Sequence, residues 1–254
     1  MSTPSAKNLL LGAGAWYFDR FDKDGKPTGE RHLGNSESGT FQTTVDVVQK
    51  YSSMTAAREL YAEAVKQIKG EGKVSLEEYD PENVALALYG ESGLYNQTAQ
   101  TAQAHTVTAF HDRWVKIPLF KIKNVVVADA VTTTTTYVEG TDYEVDYKVG
   151  RILAISTGNI ANASQIKVTA DCDAVKYPQI SGGNTPRIEG YLRFVGDPTY
   201  GPAYMGDFWH VTISPDGELG FISEDFKSFG IKFACLSDRT NHPDEPLYRL
   251  INIV

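Results

Sequence analysis

Apolar and polar positions alternate along most of this chain, the period-2 signature of strands with one buried face. Gly12 to Phe21 is an aromatic, alternating strand, and Asp22-Lys23-Asp24-Gly25-Lys26-Pro27 is a turn with Gly29 to Gly34 as the return segment. Phe41 to Tyr51 places Phe41, Val45 and Val47 among threonines and reads as another strand. Residues 54–69 admit two readings. Leu60, Tyr61, Ala64, Val65 and Ile68 fit a helical stripe, whereas Gly70-Glu71-Gly72 and the strand-like Lys73 to Tyr79 suit a hairpin whose first arm is 60–69. The clear break in the β pattern is a short helix at about 81–89. Asp80 is a good N-cap, Pro81 suits the first helical position and Glu82 complements the helix dipole. Val84, Ala85, Leu88 and Tyr89 form its apolar stripe, and Gly90 is the expected stop. One short helix in a β protein has to cover a sheet or plug its open end.

Beyond the helix, the Gln/Thr/Ala-rich stretch Asn96 to Thr106 offers little to bury and reads as a loop or mobile connector. Strands are expected at Val107–Phe110, Trp114–Ile122, Val125–Val127, Thr132–Thr136, Tyr143–Tyr147, Arg151–Ile155 and Gln165–Ala170. Pro178 to Pro186 reads as a linker. The last part is strand-like again, at Arg187–Val195, Phe208–Ile213, Gly220–Ile222, Lys232–Leu236 and Arg249–Ile253. No internal repeat of fixed period is visible. The fold class is therefore mainly β, a sandwich or half-barrel with one short helix, with a β-rich insertion or lobe at about 91–180 as one form of the single domain.

At 254 residues the chain can bury a real core, and 41% hydrophobic residues argue against disorder. The formal charge of −8 argues against a protein that grips nucleic acid by its phosphates. Two cysteines without CxxC spacing, Cys172 and Cys235, imply neither a disulfide framework nor a zinc site, and fit a reducing compartment. Met1 to Lys7 has no basic-then-apolar leader, and Leu9 to Leu11 is too short for a signal peptide or a membrane span. The chain reads as soluble, assembled in the cytoplasm, with no membrane span.

Catalytic chemistry finds little support. Gly12-Ala13-Gly14-Ala15-Trp16-Tyr17 begins like a dinucleotide fingerprint, but Tyr17 replaces the third glycine and a strand follows instead of preceding. Asp22-Lys23-Asp24-Gly25 lacks the closing glutamate of a calcium loop and reads as a β-turn. His32, His105, His111, His210 and His242 make no metal-ligand pair, and there is no GxSxG elbow. The expectation is no enzyme, no cofactor and no metal. Along Asp142 to Tyr147, Asp142, Glu144 and Asp146 would share one strand face about 7 Å apart. A solvated acidic face, to which Asp171 and Asp173 add, is favoured over a glycosidase pair.

The order of motifs resembles the tail tube (major tail) proteins of long-tailed bacteriophages. The resemblance rests on Leu11-Gly12-Ala13-Gly14-Ala15-Trp16-Tyr17-Phe18 with Leu33-Gly34-Asn35, and on Gln49-Lys50-Tyr51-Ser52-Ser53 followed by a strand and the Asp80 to Gly90 helix. Tyr137-Val138-Glu139-Gly140-Thr141-Asp142-Tyr143-Glu144-Val145-Asp146, with Gly150-Arg151-Ile152 behind it, resembles a strand–turn–strand stretch of phage tail proteins. The resemblance is strongest over 9–90 and fair over 137–170. It implies a strand at 60–69, because that family has a long hairpin there.

The family further implies homohexameric rings that stack into a hollow tube, a virion structural role in the phage tail, and tape measure, tail terminator and tail-tip proteins as partners. An acidic conduit suits that role, since a ring of six would carry six times −8, or −48, formal charges and would let DNA pass without holding it. Candidate lumen carboxylates are Glu77, Glu78, Asp142, Glu144 and Asp146. Gly34 to Thr44, with Gly34, Asn35, Ser36, Glu37, Ser38, Gly39 and Thr40 as its candidate loop, would supply contacts between rings, as would Ser2 to Asn8 and Asn96 to Thr106. Lys23, Lys26 and Arg31 read as solvated. Two rival readings stand beside this one. One is a monomeric carbohydrate-binding or glycan-processing β-sandwich, with Trp16, Trp114 and Trp209 as stacking platforms unless they are core residues. The other is a related ring-forming component, from a tail tip, a contractile-tail tube or a secretion tube.

Overall fold

A computed structural model of the chain describes residues 5–54, 56–132, 135–183 and 185–253. The Cα positions group into two compact units, one built from residues up to 92 and from 180 onward, the other from residues 93–179. In chain order the first unit supplies a 3-10 turn at Ala6–Asn8, β1 (Gly14–Arg20), β2 (Arg31–His32), β3 (Ser36–Tyr51), β4 (Leu60–Leu76) and α1 (Pro81–Ala87). The chain continues through β5 (Glu91–Gln97), β6 (Gln100–Ala109), β7 (Trp114–Lys116), β8 (Ile122–Asp129), β9 (Tyr143–Asp146), β10 (Arg151–Ala154), β11 (Ser164–Cys172) and β12 (Val175–Ser181). It ends with β13 (Ile188–Gly196), β14 (Tyr204–Asp216), β15 (Phe229–Cys235) and β16 (Arg249–Asn252). The protein is mainly β, as its alternating pattern predicts.

In the first unit the strands run β2-β1-β13-β14-β15-β4-β3, with β16 added on β14, and all neighbours are antiparallel. The sheet curls back on itself. A methyl group at Gly39 of β3 would lie 2.7 Å from the Trp16 indole on β1, and the Phe41 ring centroid is 4.9 Å from that of Phe208. The concave side holds one core of Trp16, Phe18, Leu33, Phe208, Ile231 and Phe233, to which α1 adds Leu86 and Ala87. The helix thus packs onto the sheet, against β14 and β15.

The predicted cap of that helix is present: the Asp80 carboxylate accepts from the amides of Glu82 (2.9 Å) and Asn83 (3.1 Å). Its end differs from expectation. The helix stops at Ala87, Tyr89 takes the left-handed conformation (φ 48°), and the Gly90 amide donates to Ala85 O at 2.8 Å. Gly90 is one residue too late to be the left-handed stop; it is small because a methyl group there would lie 2.9 Å from Ser181 O. Leu88 is exposed, and Asn83 and Leu86 are buried instead. Asn83 donates to Leu33 O and Glu78 O and accepts from Arg31, so a polar side chain pins the helix to the strand region.

Residues 60–69 are strand, not helix, but Gly70-Glu71-Gly72 is no turn. β4 runs straight through it, and the hairpin partner of β4 is β3. The glycines serve packing. A methyl group at Gly72 would lie 2.3 Å from Phe233 Cζ and 2.5 Å from Thr40 O, so only a bare backbone lets that ring lie on the strand. Gly72→Ala is therefore expected to lower the unfolding free energy by about 1–3 kcal/mol, as overpacking does. A denaturant midpoint unchanged from wild type would count against this packing argument.

In the second unit, two three-stranded sheets, β6-β11-β8 and β7-β10-β9, share one core that includes Ile117, Val127, Tyr143, Ile152, Ile166 and Val168. β5 and β12 pair with each other. The predicted Asn96 to Thr106 connector is mostly β6, whose inner edge pairs with β11 from Ser164 to Cys172 while its Thr and Gln side chains mostly face outward. Pro178 to Ser181 continue β12, since a proline is tolerated on an edge, and the expected linker is confined to the residues after it. Trp114–Ile122 is a strand only at its two ends. Gly220–Ile222 is no strand but part of the loop between β14 and β15. Thr136 bridges Ala128, while 133 and 134 lie outside the described residues.

Candidate self-assembly surface

β15 covers β4 only from Glu71 to Leu76. Beyond that point β4 has β3 alone for company, and the outer edge of β3 is unpaired among the described residues. The result is a two-stranded ribbon, about Thr43–Tyr51 against Leu60–Gly70. Its register sets Val45 opposite Ile68, Val47 opposite Val65 and Tyr51 opposite Leu60, all on one face. Asp46, Lys50, Gln67 and Lys69 lie on the other, together with Val48 opposite Ala64, and there Lys69 Nζ is 3.3 Å from Asp46. The register shift at Lys66 inserts one residue, which keeps Val65 on the apolar face and adds twist.

That apolar face continues the core side of the sheet. Phe41, four residues before Val45 and on the same side of β3, packs on Phe208, Phe233 and Tyr248, and Thr43 Oγ1 lies 3.0 Å from Tyr248 OH. Past Thr43 the cover ends: Val65 is 61% exposed and Ile68 55%. A lone two-stranded hairpin is marginal in water, and the exposed apolar face of Val45, Ile68, Val47 and Val65, separated from Tyr51 and Leu60 by the hydrogen-bonded pair Gln49–Glu63 (2.7 Å), marks an association surface with an open edge.

The sequence-predicted site residues divide. Glu77 and Glu78 are held by the predicted inter-ring segment: the Asn35 side chain donates to Glu77, and the Asn35 amide donates to Glu78 Oε1 at 3.0 Å. Gly34 has φ 83°, and a methyl group there would sit 2.5 Å from the Glu78 carboxyl, so this joint requires glycine. Ser36 to Thr40 are the start of β3 and not a loop, and Glu37 accepts from Ser228 Oγ at 2.8 Å. For Ser2 to Asn8, residues 1–4 lie outside the described residues and Ala6–Asn8 form the 3-10 turn.

Asp142 corrects the acidic-face expectation. It precedes β9, is 2% exposed, and accepts from the amides of Val138 (2.8 Å) and Asn159 (2.8 Å) and from the Asn159 side chain. Those donors, the Val138 amide first, hold its carboxyl below the ordinary carboxylate range. Asp146 pairs with Arg151 at 2.6 Å and accepts from the Lys148 and Val149 amides, which also lowers its pKa, Arg151 contributing most. Glu144 alone of the three is free to face solvent. A depressed folded pKa stabilises above the unfolded value and is lost as pH falls through the folded one. Asp142→Ala is therefore expected to destabilise the second unit at neutral pH, with the difference from wild type shrinking below about pH 4. Urea unfolding followed by Tyr143 and Trp114 mutant-assigned fluorescence at pH 7 and pH 3 reads this, and a pH-independent difference would refute it.

Other expectations also shift. Arg31 is not simply solvated, because it pairs with Glu82 at 2.5 Å and lies 3.5 Å from Asp80. Trp16 is core and Trp209 is stacked by His242 at 3.6 Å, but Trp114 is 41% exposed with the Arg151 guanidinium over its ring. Asp22 closes its turn by accepting from the Asp24 and Lys26 amides. No group of three or more His, Cys, Asp or Glu that could hold a metal occurs among the described residues, and no helix there is long and apolar enough to cross a membrane. In the sequence Val45, Val47, Leu60, Val65 and Ile68 are visible only as apolar positions and not as a surface, since alternation looks the same whether or not a partner covers it.

Among curated proteins none matches this chain. A family model does match, over residues 9–253, through both compact units and the whole ribbon. The chain belongs to that family, which is described as "Protein of unknown function UCP028589".

Proposed function

We propose that this chain is a structural subunit that joins its own copies through the β3–β4 ribbon, forming hexameric rings that stack into the hollow tube of a phage tail. The ribbon is the observation that carries the reading: an amphipathic two-stranded extension, with an open edge, of a sheet whose core side it prolongs. Laid on a neighbour, it buries Val45, Val47, Val65 and Ile68 and pairs the free edge of β3. Repeated around a ring, this covers the free β3 edge of every copy. The motif order of residues 9–90 and the net charge of −8 support the same reading. A wall that repels phosphate lets DNA slide, and the tape measure, terminator and tip proteins would be partners at the bore and the ends. The chain would then act by assembly in the virion, not by catalysis, after being built in the host cytoplasm.

The test is negative-stain electron microscopy of the concentrated protein with light scattering alongside. Rings or tubes of uniform width are expected. A strictly monodisperse monomer at every concentration, alone and with tail-tip extract, would refute the reading. Exposed Trp114 favours the alternative of a glycan-binding module, and that alternative predicts a monomer whose fluorescence changes on adding sugar.

A further inference from the structure

Two separate cores run through this chain. The core of the first unit draws every buried member, from Trp16 to Phe233, out of residues up to 92 or from 180 onward. The core of the second unit draws every one, from Ala109 to Cys172, out of residues 93–179. The sheets divide the same way among the described residues. The β2-β1-β13-β14-β15-β4-β3 sheet with β16 holds no strand of the second unit, and β6-β11-β8 and β7-β10-β9 hold none of the first. A span of this length with an apolar core of its own lies within the roughly 50–250 residues of an independent domain.

The chain enters and leaves that span at one place. β5 leads in, β12 leads out, and the two strands pair with each other. At their base a methyl group on Gly90 would lie 2.9 Å from Ser181 O and 3.4 Å from Gly182 Cα, and the Gly183 amide donates to Tyr89 O at 3.2 Å. The first unit thus holds residues 89–90 and 181–183 together through its own backbone. Further along, the second unit grips the same two strands. Tyr95 of β5 and Tyr177 of β12 meet Phe120 edge to face, at 5.1 and 5.6 Å between ring centroids. Gln97 donates to Phe120 O (2.8 Å) and Asp173 O (2.7 Å) and accepts from the Phe120 amide (2.9 Å). Between these two grips runs one pair of strands, which by itself carries little stability in water.

We infer that residues 93–179 are an inserted module that folds by itself and takes no part in self-assembly, so that the first unit, closed directly from Ser92 to Ile180, suffices to build rings. Everything the assembly reading uses lies outside the module: the ribbon of Thr43–Tyr51 and Leu60–Gly70, the free edge of β3, and the core that the apolar face of the ribbon continues. An insertion is tolerated where the two ends of the interrupted chain already meet, because the host fold keeps its own contacts when the insert is removed. Exposed Trp114 belongs to the module, so a recognition role for that side chain and an assembly role for the ribbon sit in separate folding units. Only the assembly part rests on the stacked-ring reading; the folding part stands on the two cores.

Hydrogen exchange of the full-length chain, read by mass spectrometry, tests the folding part. Asp207→Ala should speed exchange in β13, β14 and β15 by roughly 30-fold or more, as loss of a buried ionic partner does, and leave β11 unchanged. Asp142→Ala should do the reverse. A variant that speeds exchange in both units alike means that they unfold together, and overturns the proposal. The assembly part is read on a chain in which a short Gly/Ser turn replaces residues 93–179. Beside the wild type in the electron microscope, this shortened chain should form rings of the same subunit number. A shortened chain that does not fold, or that folds and stays monomeric where the wild type forms rings, overturns the proposal. Wild type without rings, but with independent exchange of the two units, would sink the ring reading and leave the module standing.

Discussion

Val47→Asp/Val65→Asp is expected to yield a folded monomer that no longer assembles. The two residues face each other across the ribbon and are already in water in the single chain, Val65 at 61% exposure. Their loss should cost the monomer no more than about 1–2 kcal/mol, from lost strand propensity and from two carboxylates set opposite each other, a cost confined to the ribbon outside the core. Under a neighbouring copy the same change buries two carboxylates against an apolar face. Truncating a central interface contact costs about 2–4 kcal/mol, and unpaired buried charge adds to it. Each subunit contact then weakens by roughly 30- to 1,000-fold, and a ring repeats the loss at every joint. Sedimentation velocity should show monomer where the wild type shows rings, with an unchanged far-ultraviolet circular dichroism spectrum. Asp46→Asn on the polar face is the control and should still assemble. Wild-type assembly by the double variant would remove the ribbon from the interface.

The largest effect on stability is expected at Asp207. Its carboxylate is 1% exposed and joins three strands: Tyr191 OH and Arg193 Nε (2.9 Å) from β13, and Arg249 Nη2 (3.0 Å) from β16. The outer contacts of both guanidinium groups continue the network. Arg193 pairs with Glu30 at 2.9 Å, and Arg249 lies over the Trp209 ring. Burial pushes the Asp207 carboxyl up, but the donors from Tyr191, Arg193 and Arg249 outweigh it and hold it below the ordinary value. Tyr191 is pushed the other way, by burial first and then by the carboxylate it donates to. Removing one partner of a buried pair costs about 3–5 kcal/mol. Both arginines keep a solvated side here, so Asp207→Ala is expected to cost about 2–4 kcal/mol, or roughly 5–12 °C in Tm.

The pH dependence follows from the depressed pKa. The contribution of Asp207 is fully present above its unfolded value near 4 and lost as pH falls through the folded one. The Tm gap between wild type and Asp207→Ala should therefore be constant from pH 7 to about pH 5 and narrow below it. A gap that persists unchanged at pH 2.5, or a variant as stable as wild type at pH 7, would show that the network is not holding β16 in place.

Sequence by itself determined what acts over a few residues. Asp80, Pro81 and Glu82 start the helix because a carboxylate two or three residues from free amides needs no tertiary partner. Asp22 and Gly25 close their turn for the same reason, and the alternation of residues 41–51 is enough for a strand. Tertiary structure decided the rest. Gly70 and Gly72 read as a turn until Phe41 and Phe233 need bare backbone beside them, and β4 then continues through both. Asp142 looks like a member of an acidic face until Val138 and Asn159, four and seventeen positions away, fold their amides around it. The candidate assembly surface lay deepest of all. Val45 and Phe41 share one side of one strand, yet Phe41 is packed against Phe208 while Val45 is left in water. Nothing local separates them, because burial is set by which distant strands arrive on the same face.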